Sequence, residues 1–83
     1  MRYDIEIGPK AKKTIKRMQN SVASHIIKKI YQLKENPYRY LEHFEGNGYK
    51  LRIGKYRALI DVDSINKILV VRVLDKRGRI YKR

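Results

Sequence analysis

Lys50, Arg52 and Arg57 lie within one stretch of eight residues, and Arg77 and Tyr81 follow near the end of the chain. These five side chains suit one kind of chemistry. An arginine presents a planar fork of donors matched to phosphate oxygens. Two or three such cations around one phosphate stabilise the extra negative charge of a pentacovalent transition state. A lysine set among other cations gives up its proton more readily and can act as a base. A tyrosine can stack on a base or take part in proton transfer. RNA carries its own nucleophile, the 2′-hydroxyl, so a groove of this composition is able to cut RNA by internal transesterification. The set holds no carboxylate pair and no histidine pair.

The spacing around these residues predicts how they are presented. Tyr49, Leu51 and Ile53 alternate with Lys50 and Arg52, the period of a half-buried strand. Gly54-Lys55 then suits a two-residue II′ hairpin turn. That turn sets Ile53 against Tyr56, Arg52 against Arg57, Leu51 against Ala58 and Lys50 against Leu59. Side chains alternate in period two, so Leu51, Ile53, Tyr56 and Ala58 share one face. Lys50, Arg52 and Arg57 share the other. Two arginines directly opposite repel, and the sequence reading takes that misfit as the mark of an anion site between them.

Composition narrows the partners. The 83 residues hold 21 Lys and Arg against 8 Asp and Glu, a net charge of +13. One domain is expected at this length, with a small core and a shallow site. The charge draws the protein to polyanions, nucleic acid first, then acidic protein and anionic membrane surface. With no cysteine in the chain, disulfides, thiol catalysis and zinc–thiolate sites are excluded. Only His25 and His43 are present, without an acidic cluster, so neither a metal nor any other cofactor is expected. No apolar run is long enough to span a membrane. The opening residues do not read as a signal segment, and the expected location is cytoplasmic.

The remaining elements follow in order. Tyr3 to Ile7 alternates as a first strand. Gly8-Pro9 stops it and opens a helix from about Pro9 to Met18. Ala11, Ile15 and Met18 mark its apolar face. Lys10, Lys12, Lys13, Lys16 and Arg17 mark the other, a solvated stripe able to grip RNA phosphates. Asn20 or Ser21 is expected to cap a second helix from about Val22 to Lys34. Residues 36–48 read as irregular, with Leu41 and Phe44 anchored in the core. In that segment Tyr38, Tyr40 and His43 read as packing residues, as does Tyr31 just before it. Tyr56 to Asp63 and Lys67 to Leu74 read as further strands, the latter apolar on both faces and so interior. Arg79-Ile80-Tyr81 reads as a last short strand or extension. The expected fold is α+β, in the order β-α-α-β-β-β. A two-helix hairpin covers one face of a mainly antiparallel sheet and leaves the other face open. Lys55, Lys76 and Arg79 add to the basic surface around that open face.

The segment Tyr49-Lys50-Leu51-Arg52-Ile53-Gly54-Lys55-Tyr56-Arg57 resembles the Arg-hydrophobic-Gly-x-Tyr-Arg segment of the RelE/ParE superfamily of toxins. The lead-in His43-Phe44-Glu45-Gly46 and the basic ending through Tyr81 are similar to that family as well. The resemblance implies the compact RelE fold and a small toxin held inactive by an acidic, RelB-like antitoxin. For RelE-type members it implies cleavage of mRNA in the ribosomal A site. Arg57 and Arg77 would then stabilise the scissile phosphate, and Lys50 and Arg52 would occupy positions where the family often has two lysines. Tyr81 would match the C-terminal tyrosine. An arginine at 52 is a poor base, so the resemblance leaves that role to Lys50 or Tyr81. Only Lys82-Arg83 follow Tyr81, so no C-terminal helix is expected. ParE-type relatives share the fold but poison DNA gyrase, and generally lack the full cationic and tyrosine set. A non-catalytic RNA-binding module is the third reading. On the catalytic reading, Arg57→Ala and Arg77→Ala each cost rate far more than stability.

Overall fold

The structure is a computed structural model and describes residues 2–76. Strand β1 (Asp4–Ile7) leads into helix α1 (Pro9–Lys16) and helix α2 (Asn20–Tyr31). Two 3-10 turns, Gln32–Lys34 and Pro37–Arg39, carry the chain to four strands: β2 (Glu42–Glu45), β3 (Gly48–Ile53), β4 (Tyr56–Asp63) and β5 (Ile68–Lys76). They form one sheet in the order β1-β5-β4-β3-β2. β1 runs parallel to β5, and every other pair is antiparallel. The fold is α+β, as the apolar periodicities require.

Periodicity explains which face each strand buries. Ala11, Ile26, Ile30 and Leu33 from the helical layer meet Leu51, Ile53, Ala58, Ile60, Val62, Leu69, Val71 and Leu74 from the sheet in one buried cluster. Both helices therefore lie on the same face. The outward positions carry Asp4, Glu6, Lys50, Arg52, Asp61 and Arg72 instead. β5 is interior to the sheet, between β1 and β4, and its outward positions keep the half-buried Val70 and Val73 beside the exposed Arg72.

The β3–β4 hairpin has the expected register: Lys50 faces Leu59, Leu51 Ala58, Arg52 Arg57 and Ile53 Tyr56. Gly54 takes a φ of +56°. Lys55 is not among the residues with positive φ, so only the first central position is left-handed, as a II′ turn demands.

Three expectations need correction. Residues 42–45 are not irregular: they form β2, an exposed edge strand bulged between His43 and Glu45. Phe44 is no core anchor, being 42% exposed, whereas Leu41 does pack against the core. The helix ends also shift. Arg17 closes α1, Gln19 precedes α2 without a side-chain cap, and the expected tail of α2 tightens into the 3-10 turn at Gln32–Lys34. Neither Asn20 nor Ser21 therefore caps α2. Arg77, Arg79 and Tyr81 lie outside the described residues.

Candidate functional site

On the face without helices, Tyr40, Glu42, Lys50, Arg52 and Arg57 line a depression of about 250 Å3. β3 supplies Lys50 and Arg52, β4 supplies Arg57, and β2 supplies Glu42. The chain just before β2 supplies Tyr40. Three of the five expected catalytic residues are thus brought together by the hairpin register. Arg77 and Tyr81 fall outside the described residues.

Each cation is held differently. Arg52 is exposed. Lys50 is half-buried, with Nζ 3.8 Å from Glu42 Oε1 and 5.7 Å from the centre of the Phe44 ring. Arg57 is only 9% exposed. Its Nη1 donates to the carbonyls of Gly54 and Tyr56, each at 2.8 Å. Across β5, Arg57 faces Asp75. One ladder row therefore reads Arg52, Arg57, Asp75. The Arg52–Arg57 opposition does not by itself call for a bound anion: two backbone carbonyls already accept from the Arg57 guanidinium. The site rests on the convergence of side chains around the depression rather than on that misfit.

Sequence reasoning missed two members of this lining. Glu42 was hidden because β2 shows almost no apolar alternation, yet it pairs directly with Lys50 in the β2–β3 register. Tyr40 does not pack as expected. It is 45% exposed and stands at the rim of the depression. Tyr38 and His43 do pack, edge-on against Tyr49 at 5.6 and 5.2 Å between ring centres. His43 Nε2–H also donates to the Gly46 carbonyl at 3.0 Å, so its role is to hold the β2–β3 turn. Desolvation, then a hydrogen bond with Tyr3, pushes the Tyr38 phenol above the usual tyrosine range.

Among the described residues, the other basic residues expected to contact RNA do not line this depression. Lys10, Lys12, Lys13 and Lys16 line their own shallow hollow along α1, in the helical layer on the far side of the sheet. Arg17 and Lys76 line a third hollow with Thr14, Met18, Tyr56 and Asp75. Lys55 is exposed at the hairpin tip. The protein thus carries cationic hollows on both layers, and the one on the sheet face is where arginines from two paired strands meet a lysine, a carboxylate and a phenol.

The molecule is a small α+β domain with a cationic depression on its open sheet face, and comparison with known proteins gives its family. Residues 5–80 match the model of the ParE toxin family of type II toxin–antitoxin systems, parDE. The chain belongs to this family, within the RelE/ParE superfamily, and is a toxin of a type II toxin–antitoxin system. Among solved structures it is similar to the RelBE2 toxin–antitoxin complex of Mycobacterium tuberculosis. The TM-score is 0.83 at 17% identity, over 93% of this chain and 100% of that one. The archaeal RelE–RelB complex of Pyrococcus horikoshii gives 0.79 at 21% identity, over 95% and 99%. The intact RelBE complex of E. coli gives 0.77 at 20% identity, over 93% and 99%. These likenesses establish the RelE fold. No curated protein matches the sequence.

Proposed function

We propose that this toxin is an endoribonuclease that cuts mRNA in the A site of translating ribosomes and so stops translation. The observation that carries the reading is the meeting of Lys50, Arg52 and Arg57 around one depression on the open sheet face. A phosphate there gains bidentate donors from Arg52 and a cation in Lys50. Arg57 is fixed in orientation by the hairpin carbonyls. Preorganised charge of this kind stabilises a phosphorane most when it need not move during the reaction.

In the proposed step the ribose 2′-hydroxyl loses its proton and its oxygen attacks the adjacent phosphorus. The P–O5′ bond breaks, leaving a 2′,3′-cyclic phosphate on one fragment and a 5′-hydroxyl on the other once the leaving oxygen is protonated. Glu42 joins Lys50 and Tyr81 as a proton acceptor for the first transfer, since its carboxylate lies within the same depression. Arg77 and Tyr81 keep the roles that the family resemblance assigns them: phosphate stabilisation, and stacking or proton transfer. Lys10, Lys12, Lys13, Lys16, Arg17, Lys55, Lys76 and Arg79 then serve as phosphate contacts to the ribosome's RNA.

The proposed partners are the ribosome with its mRNA and an acidic antitoxin. The antitoxin is supported by the net charge of +13 and by solved relatives that are RelB–RelE complexes, those of P. horikoshii and E. coli among them. The proposed location is the cytoplasm. No helix among the described residues is long and apolar enough to cross a membrane. Poisoning of DNA gyrase is the second reading, favoured by the ParE family match. A translation reaction and a gyrase supercoiling reaction, run with the same toxin preparation, separate the two.

A further inference from the structure

Beside the cationic depression, the open sheet face holds a second, smaller hollow of about 160 Å3. It is lined by Phe44, Glu45, Gly48, Leu59, Asp61, Arg72 and Val73. Phe44 bridges the two: its ring lines this hollow and also faces Lys50 Nζ of the first. Along β4 the step from Arg57 to Asp61 is four residues, about 13 Å at the usual strand rise. Opposite Asp61 on β3 stands Gly48, which places no side chain in the hollow.

The polar groups here form a matched set. Arg72 is the extra residue of a β-bulge: Leu59 pairs with Val73 and Ile60 with Val71, leaving Arg72 outside the ladder. Bulges re-aim a side chain, and Arg72 Nη1 comes to lie 3.4 Å from Asp61 Oδ2. Both side chains remain well exposed. Side by side they offer two carboxylate acceptors next to a donor fork. Guanine alone among the four RNA bases has the complement of that pattern on its Watson–Crick edge: two adjacent donors, N1–H and the N2 amino group, followed by the O6 acceptor. The exposed Phe44 ring supplies the stacking wall that single-stranded RNA recognition uses for a splayed base.

We propose that Phe44, Asp61 and Arg72 form a base subsite for a guanine in single-stranded RNA. The guanine belongs to a nucleotide near the one whose phosphate occupies the Lys50–Arg52–Arg57 depression. The inference rests on the RNA reading above and adds to it a determinant of sequence preference. Phe44 holds the base plane, Asp61 accepts from N1–H and N2–H, and Arg72 donates to O6.

The test is fluorescence anisotropy of the full-length toxin with labelled 2′-O-methyl hexauridylate, and with the same oligomer carrying one central guanine, adenine or cytosine. The methyl group blocks cleavage, so binding is read alone. We expect the guanine oligomer to bind about tenfold tighter than the other three. Asp61→Asn is expected to erase that ratio while general affinity persists. Phe44→Ala should weaken the guanine oligomer about tenfold, and Phe44→Tyr should restore it. Equal affinity for all four oligomers, or a guanine preference untouched by Asp61→Asn and Phe44→Ala, overturns the subsite. So does a Phe44→Ala variant that binds RNA normally but no longer associates with its antitoxin, which would assign the ring to a protein interface. Failure to bind any oligomer overturns the subsite and leaves the cleavage reading to be decided by programmed ribosomes. Guanine-selective binding by a toxin that leaves ribosomal mRNA intact keeps the subsite and removes only the cleavage.

Discussion

Arg57 Nη1 donates to the carbonyl of Gly54 at 2.8 Å, and Gly54 is the residue whose left-handed φ turns the hairpin that carries Arg57. The guanidinium thus closes the turn that positions it. Arg57 is at once a structural brace and the most firmly oriented cation of the depression. Arg52, directly opposite, is exposed and has no such tie among the hydrogen bonds and ion pairs described.

The two arginines should therefore respond differently to truncation. Removing a buried charged donor from two carbonyls costs roughly 1.5–3 kcal/mol. In a domain of this size Arg57→Ala should lower the melting temperature by about 10 °C or more, as well as abolishing activity. The sequence-based expectation was that rate would suffer far more than stability; the two carbonyl contacts add a sizeable stability loss to it. Arg52→Ala should leave stability within about 0.5 kcal/mol and reduce only RNA affinity and cleavage. Thermal unfolding followed by circular dichroism, beside a cleavage assay, checks both.

Glu42 pairs with Lys50 at an exposed edge, where such a pair contributes about 0–1 kcal/mol. Glu42→Gln should unfold at nearly the wild-type temperature. If its carboxylate accepts the 2′-proton, single-turnover cleavage should slow by roughly 100-fold or more and the acid limb of the pH–rate profile should flatten. Wild-type cleavage by Glu42→Gln would return the proton-accepting role to Lys50 or Tyr81.

Stability at low pH should report on the β4–β5 turn. The backbone N–H of Asn66, the Asn66 side chain and the N–H of Ile65 all donate to the Asp63 carboxylate and hold its carboxyl below the usual aspartate range. A carboxyl with a folded pKa below its unfolded value binds its proton more weakly when folded. It stabilises the fold above the unfolded pKa, about 3.9, and that contribution disappears as pH falls through the folded value. Glu35, hydrogen-bonded by Arg2, acts in the same direction. Melting temperatures of wild type and Asp63→Asn should differ at pH 5 to 6, with the wild type higher, and should converge as pH drops below about 4. A gap that widens on acidification would contradict the assignment.

Much of the fold was legible because its signals are local. The alternation in Tyr49 to Ile53, the Gly54-Lys55 turn and the period-two residues of Tyr56 to Asp63 together dictate a register that the structure reproduces pair by pair. The helix positions follow from Ala11, Ile26, Ile30 and Leu33, all buried. β2 was not legible. Its four residues are all exposed, and backbone pairing to β3 holds it rather than a buried face. With β2 unseen, Glu42, Tyr40 and Phe44 could not be placed beside Lys50. The fate of Arg57 was hidden for a related reason. Sequence spacing shows which residues oppose each other, but not that a long side chain folds back onto a turn carbonyl, nor that Asp75 arrives on its other side.

The most direct test uses programmed ribosomes carrying a defined mRNA with a known codon in the A site, mixed with purified toxin. Cleavage is mapped by primer extension. We expect a cut within the A-site codon, a cyclic phosphate on the upstream fragment, and loss of the cut in Arg52→Ala. Intact mRNA at high toxin, with gyrase supercoiling blocked by the same preparation, would contradict the ribonuclease reading and place the toxin with the gyrase poisons.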